Sequence, residues 1–402
     1  MRRRPARLSR LVALWAHHHA AARDPLQVAL QWDPASRVDP RLLRHTVRGR
    51  FWEAVEASGG TLIVTREYEH LVVALAVVRG RKRVSYLRLP HPNGIAVDRR
   101  RGLLYIASTR NPNMVFELAP ARHVKADDAA ASGLEGALIP VRCSYLPGSL
   151  YIHDLALIGG RLHANAVAMN AVVELPPEGG FRPVWWPRSI DGREGPRFER
   201  NYLQLNSIAP GRELAGSFFT ASAAAPSARR PGHLNFPVEG RGVVFAGQTR
   251  EVVARGLTRP HSARLHRGSL WLDNSGHGEL GRVVGGRFEP VVRLNGWTRG
   301  LQLAGDLAFV GTSRVIPRFR HYAPGVDPDR SETGVHAVDV KTGRVLGSLV
   351  WPLGNQIFAI EAIADTLGFP ATGKPTERPR IERLFFRGQA GMRPRSQRSG
   401  LS

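Results

Sequence analysis

Short apolar runs of about four to six residues, broken by polar and glycine-bearing turns, recur from Gly60 to Gly368. Runs of this length predict strands rather than helices, because an amphipathic helix needs a longer pattern with a 3.6-residue period. Six runs, at 61–64, 103–107, 161–165, 213–217, 269–272 and 306–310, each open a unit. Six more close the units and begin on or beside polar residues: Asn93, His153 with Asp154, Asn206 with Ser207, His261 with Ser262, Arg299, and Phe358. These starts, at positions 93, 153, 206, 261, 299 and 358, advance by about 53 residues on average, the length of four strands and their turns. Further strands are predicted at 113–118, 171–175, 242–245, 278–283 and 334–339.

The repeat predicts an all-β chain, a six-bladed β-propeller over 56–370 that holds most of the 402 residues in one closed ring. Radial closure also removes the exposed sheet edges that an open arrangement would leave. Residues 1–55 show no strand alternation and are expected to form a short helical or irregular extension. Residues 371–402, rich in arginine, proline and serine, are predicted to be a disordered basic tail. Stretches 126–136 and 221–231 carry few bulky apolar residues and are expected to be long surface loops.

Ring geometry gives the polar starts their interest. In a propeller the innermost strands run along a central channel, so residues far apart in sequence converge at one end of it. Of these, His153, Asp154, His261 and Arg299 are the candidates for catalysis, and His91, Asn93, Gln204, Asn206 and Ser262 for ligand binding. Gln356 and Phe358 stand at the corresponding place in the last unit. Each has a structural alternative: asparagine caps turns, histidine bonds neighbouring blades, and Asp154 can accept backbone N–H groups. Arg299 is expected either to pair with Asp154 or to meet an anionic group of a ligand. Adjacent Ser262 and His261 point to opposite faces of a strand, which argues against a serine nucleophile. A divalent metal in the channel is compatible with His and Asp ligands, although no spacing such as HExxH marks one. Asp273-Asn274-Ser275-Gly276 with His277 reads as a second polar layer or a hairpin turn.

Composition narrows the remaining classes. The net charge of +24 rests on 57 lysines and arginines, of which only Lys82, Lys125, Lys341 and Lys374 are lysine. With alanine, glycine and proline also abundant, the skew reads as coding bias, and no helix-turn-helix, zinc-finger or aromatic RNA-binding motif accompanies it; a nucleic-acid partner is not expected. A single cysteine, Cys143, excludes an internal disulfide framework. The apolar stretch at 8–16 is interrupted by Arg10 and closed by three histidines, too polar for a secretory signal, and no run approaches the roughly 20 apolar residues of a membrane span. Cytoplasmic residence is the resulting expectation.

The motifs together resemble a known family. They are Gly94 in a Pro-x-Gly-x-Ala setting, Tyr145-Leu146-Pro147 leading to Ile152-His153-Asp154, Leu205-Asn206, Arg259-Pro260-His261-Ser262-Ala263-Arg264, the run from Leu270-Trp271-Leu272-Asp273 to Gly281, Thr298-Arg299-Gly300-Leu301, and Gln356-Ile357-Phe358. The chain is in these respects similar to the bacterial family called domain of unknown function 4915, over about 60–369. The resemblance implies a propeller and no particular activity. Where that family usually has His-Leu-Asn-Gly, this chain has Gln204-Leu205-Asn206-Ser207; where it has Glu-Ile-Phe-Asp, this chain has Gln356-Ile357-Phe358-Ala359. Two functions compete on this reading: a propeller that binds or acts on a sugar-, lactone- or peptide-like small molecule in its channel, and a protein-interaction platform whose polar channel only holds the blades together.

Overall fold

The computed structural model describes residues 25–110, 113–123, 136–146, 150–198, 200–364 and 368–370, with the isolated positions 13 and 17. The predicted tail at 371–402 and most of the loop at 126–136 lie outside them.

Six antiparallel sheets surround one axis, five of four strands and one of five, as the six-unit repeat predicts. Blade 2 comprises Pro92–Asp98, Leu103–Ser108, Asn113–Pro120 and Leu138–Leu146; blade 3, Ile152–Ile158, Arg161–Ala166, Ala171–Glu174 and Arg182–Trp185. Blade 4 is built from Leu205–Ala209, Phe218–Ala221, Gly242–Ala246 and Val252–Leu257, and blade 5 from Pro260–His266, Ser269–Asn274, Glu279–Val284 and Arg287–Arg293. Blade 6 comprises Trp297–Ala304, Leu307–Ser313, Thr333–Asp339 and Val345–Trp351. Blade 1 is made from both ends of the repeat region: Thr61–Arg66, Leu71–Val78 and Arg81–Arg88 take Ile360–Ile363 as their inner strand. The first strand of every blade touches the first strand of the next, and Ile360–Ile363 meets Pro92–Asp98 to complete the circle. Ring closure therefore depends on main-chain pairing between the two ends, a long-range contact no local pattern encodes.

Two local readings change. The predicted strand at 213–217 is instead a 3-10 turn, Leu214–Gly216, and the strand begins at Phe218. The Ser217 hydroxyl donates to Glu213 O and accepts from Gly211 N, fixing the turn, while Phe218 and Phe219 supply the bulky positions that pair with Ala209 and Ile208. Within the N-terminal extension, Thr46–Gly49 adds a fifth strand to blade 6, pairing with Gly347–Val350. All four of its residues are exposed, so apolar alternation could not announce it. The helix Phe51–Ala57 follows and buries Phe51 and Trp52 among Leu75, Phe309 and Trp351 between blades 6 and 1. An upstream helix, Pro25–Ser36, touches blade 2 through Trp32, edge-on to Phe116. Among the described residues no helix is long and apolar enough to cross a membrane.

Candidate functional site

The inner strands are held together by a repeated side-chain bond. Thr65 Oγ1 donates to Asn93 O (2.6 Å), and Asn93 Nδ2 to Ile152 O. Asn165 Nδ2 donates to Leu205 O (2.9 Å), Asn206 Nδ2 to Pro260 O (3.0 Å), Ser275 Oγ to Thr298 O (2.6 Å) and Ser313 Oγ to Ile357 O (3.2 Å). Each joins one blade to the next, so all six interblade seams carry such a bond. Buried carbonyls at strand starts are thereby satisfied, each bond contributing about 1 kcal/mol net. A second ring runs the other way, with side-chain oxygens accepting backbone N–H groups of the following blade: Asp154 from Ile208 (3.0 Å), Ser207 from Ala263 (3.0 Å), Ser262 from Gly300 (2.7 Å) and Gln302 from Ala362 (3.1 Å). The close approach needs small residues: a Cβ on Gly94 would lie 2.6 Å from Asp154 Cα.

Asn93, Asn206 and Ser262 are thus occupied with neighbouring blades, the structural alternative for each. Asp154 does not pair with Arg299. Its Oδ2 lies 3.3 Å from Arg264 Nη1, and Arg264 Nη2 lies 2.9 Å from Glu361 Oε1, a buried triad joining blades 3, 5 and 1. Burial raises the carboxyls of both Asp154 and Glu361, against the lowering effect of Arg264. Desolvation opposes the Arg264 charge, yet the two carboxylates leave its pKa raised on balance.

At the mouth of the channel the strand starts open into a cavity of about 210 Å³. Four residues that immediately precede inner strands adopt the left-handed conformation: His91 (φ 43°), Tyr151 (52°), Gln204 (52°) and Arg259 (51°). For residues with a Cβ this costs on the order of 1 kcal/mol each, and its recurrence around one mouth sets the direction of the side chains there. Tyr151, Gln204 and Arg259 line the cavity, and Gln356 does so from the last unit. His91 does not; it stands behind the wall, its Nδ1 4.0 Å from Glu67 Oε1 and its ring edge-on to His70.

The wall is aromatic and basic. Tyr68, Trp297, Phe319, Tyr322 and Phe358 line it with Glu67, His153, Asn201, Arg230 and Arg299. Phe319 and Tyr322 come from the turn Pro317–Tyr322 of blade 6, and Arg230 and Gly232 from the long loop of blade 4, whose Gly232 O accepts from Tyr322 Oη (3.3 Å). The Arg299 guanidinium lies 4.5 Å from the Trp297 ring and 4.3 Å from the Phe358 ring, and that of Arg259 lies 3.9 Å from Tyr322. Arg299 Nη2 donates to His261 Nε2 (3.0 Å), so His261 touches the site through Arg299. His153 and His261 stack with centroids 6.0 Å apart, and burial, with Arg299 beside them, holds both rings far below the ordinary histidine range and hence neutral. Burial raises the Glu67 carboxyl, although Thr109 Oγ1 donates to it (2.7 Å). Burial likewise pushes Tyr68 up to about 12 and Arg259 down to about 10.

Of the nine sequence candidates, His153, Gln204 and Arg299 line the cavity and His261 backs it; His91, Asn93, Asp154, Asn206 and Ser262 lie outside it. Sequence reading missed Glu67, Tyr68, Tyr151, Arg259, Trp297 and Tyr322. Arg259 and Tyr151 carry a usable signal, since each sits one residue before an inner strand, the place that His91 and Gln204 occupy in their units. Glu67 and Tyr68 lie in the turn linking the first two strands of blade 1, and nothing local marks them. Among the described residues no three His, Cys, Asp or Glu side chains gather to hold a metal ion. Arg299 occupies the Nε2 lone pair of His261 and places a cation in the channel, so these residues do not fit a bound divalent cation. The second polar layer is a turn: Asn274 Oδ1 accepts from Thr258 N (2.7 Å), and Gly276 N donates to Thr258 O (2.9 Å). Cys143 lies exposed on the outermost strand of blade 2.

Among solved structures, the chain is similar to one from a nidogen/laminin complex, with 10% identity, a TM-score of 0.51, and coverage of 77% of this chain and 100% of that one. Lower scores relate it to a streptogramin B lyase (13% identity, TM-score 0.35, 70% of this chain and 72% of that one) and to a gluconolactonase from Xanthomonas campestris (12%, 0.42, 66% and 77%). At 10% identity the likeness to the nidogen/laminin structure concerns the fold alone. No curated protein matches the chain. Residues 49–370, most of the sequence and all six blades, match the family described as Domain of unknown function (DUF4915), and the chain belongs to that family.

Proposed function

We propose that this propeller binds a small, polar, sugar-, lactone- or peptide-like molecule in the cavity at the mouth of its channel. The observation that carries the proposal is a set of buried polar atoms on one aromatic wall that have no hydrogen-bond partner among the described residues: Arg259 Nε, Arg299 Nε, Trp297 Nε1, His153 Nδ1, Gln204 Oε1 and Gln356 Oε1. Buried polar groups are ordinarily paired, and six unpaired ones around a single concavity mark a surface shaped for something else's donors and acceptors.

Within this reading His153 and Arg299 touch the ligand, His261 positions Arg299, and Asp154 serves the fold. Glu67, a buried carboxyl with a raised pKa on the cavity wall, is the group best placed to exchange a proton with a bound molecule. The interblade bonds of Asn93, Asn206 and Ser262 support the competing platform reading for the deeper rings, but they leave the aromatic wall unexplained.

Calorimetric titration with sugar acids, lactones and N-acetyl dipeptides tests the proposal. At least one compound should bind at millimolar concentration or tighter and lose that binding in Trp297→Ala and Arg299→Gln. If no compound binds, or if binding is indifferent to both substitutions, the pocket reading fails. A protein partner whose capture survives both substitutions but not replacement of rim loops would favour the platform.

A further inference from the structure

The cavity wall is unbalanced in charge. Arg259 and Arg299 are 3% and 4% exposed, and neither has a carboxylate oxygen within 4.0 Å among the described residues. Glu67, the acid on the same wall, is engaged elsewhere, by Thr109 at 2.7 Å and by Arg110 at 3.9 Å. Two buried guanidinium groups facing one concavity repel each other and have lost most of their hydration, an arrangement costly unless an anion completes it.

Geometry says which kind of anion. Trp297 and Phe358 lie against Arg299, and Tyr322 lies against Arg259; the N–H groups of a guanidinium lie in its own plane, so new bonds leave through its edges. Each edge still has a free donor: one Arg259 nitrogen bonds Pro231 O and one Arg299 nitrogen bonds His261, while both Nε groups are unpaired. In-plane N–H pairs match the two coplanar oxygens of a carboxylate. The same cavity presents Glu67, an acceptor suited to a ligand hydroxyl, and the amide oxygens of Gln204 and Gln356, which also want donors.

We infer that the ligand is a small hydroxylated carboxylate of the sugar-acid type, its carboxylate held between Arg259 and Arg299 and its hydroxyls directed to Glu67, Gln204 and Gln356. This inference rests on the small-molecule reading of the cavity and names the chemical class within it.

The test is calorimetric titration of the full chain with D-glucuronate, with D-glucuronamide, which keeps the hydroxyls but not the charge, and with inorganic phosphate. D-glucuronate should bind at least tenfold more tightly than its amide. Arg259→Gln should remove that preference, and Arg259→Lys should keep part of it. Equal binding of acid and amide, or an Arg259→Gln protein that still prefers the acid, overturns the inference while leaving the small-molecule reading in place. Tighter binding of phosphate than of D-glucuronate overturns the carboxylate class, and failure of all three probes overturns the sugar-acid class, with the wider panel then deciding the pocket itself. If Arg259→Gln does not fold, the acid-to-amide ratio of the unmodified protein decides.

Discussion

Replacing Arg264 with leucine removes the cation that holds Asp154 and Glu361 together across the channel. Arg264 is 14% exposed, and its partners are 6% and 15% exposed, so both carboxylates would be left largely buried and uncompensated. Removing one partner of a buried ion pair costs about 3–5 kcal/mol. The propeller region 49–370, about 320 residues, gains about 0.7 kcal/mol/K in unfolding entropy, so Arg264→Leu should lower Tm by about 4–7 °C at pH 7.5. The loss should depend on pH in a definite direction. Both carboxyls already have raised folded-state pKa values, and without Arg264 they rise further. The folded state then holds protons that the unfolded state has released, so stability returns as pH falls toward the unfolded pKa near 4. For each carboxyl protonated in the variant but still ionised in the unmodified protein, the deficit should shrink by about 1.4 kcal/mol for each pH unit of acidification. Urea unfolding between pH 5 and 8 measures this, and the triple substitution Arg264→Met, Asp154→Asn and Glu361→Gln should restore most of the stability. A deficit below about 1 kcal/mol that is flat with pH would refute the triad as a buried electrostatic unit and would return Asp154 to candidacy as a working base.

Three further outcomes are expected. Asn165→Leu leaves the N–H groups of His153 and Asp154 and the carbonyl of Leu205 without their partner, and urea unfolding should show a loss of about 2–4 kcal/mol; a neutral variant would mean the interblade bonds are dispensable. His336 is buried between Thr312 and Ser348, and burial lowers it to about 4, so the unfolded state alone gains a proton between pH 6.5 and 4. Its contribution to stability should therefore be about 2 kcal/mol smaller at pH 5 than at pH 7.5, visible as a His336→Gln deficit that narrows on acidification; a deficit unchanged with pH contradicts the assignment. Gly94→Ala drives a methyl group into the Asp154 backbone and should destabilise by about 1–3 kcal/mol in thermal unfolding, whereas an unaffected Tm would show that blades 2 and 3 can separate there.

The alternation of short apolar runs and their mean step of about 53 residues determined the six-bladed ring, because a blade must bury its faces against neighbours and the repeat length states how many strands do so. The same reading found the inner-strand starts, and so found His153, Gln204, His261 and Arg299. It could not separate residues that bond the next blade from residues that face the cavity. His91 and Gln204 each stand one residue before an inner strand with a left-handed backbone, yet Gln204 lines the cavity and His91 stands behind its wall against Glu67 and His70. Tertiary structure alone brought Glu67 and Tyr68 from one blade, Arg259 from another, and Trp297 and Tyr322 from a third onto a single wall. Of the two partners expected for Arg299, it removed Asp154, which joins Arg264 and Glu361 in a triad instead. Charges pair by distance through the closed ring, and those distances do not exist until Ile360–Ile363 joins the first blade.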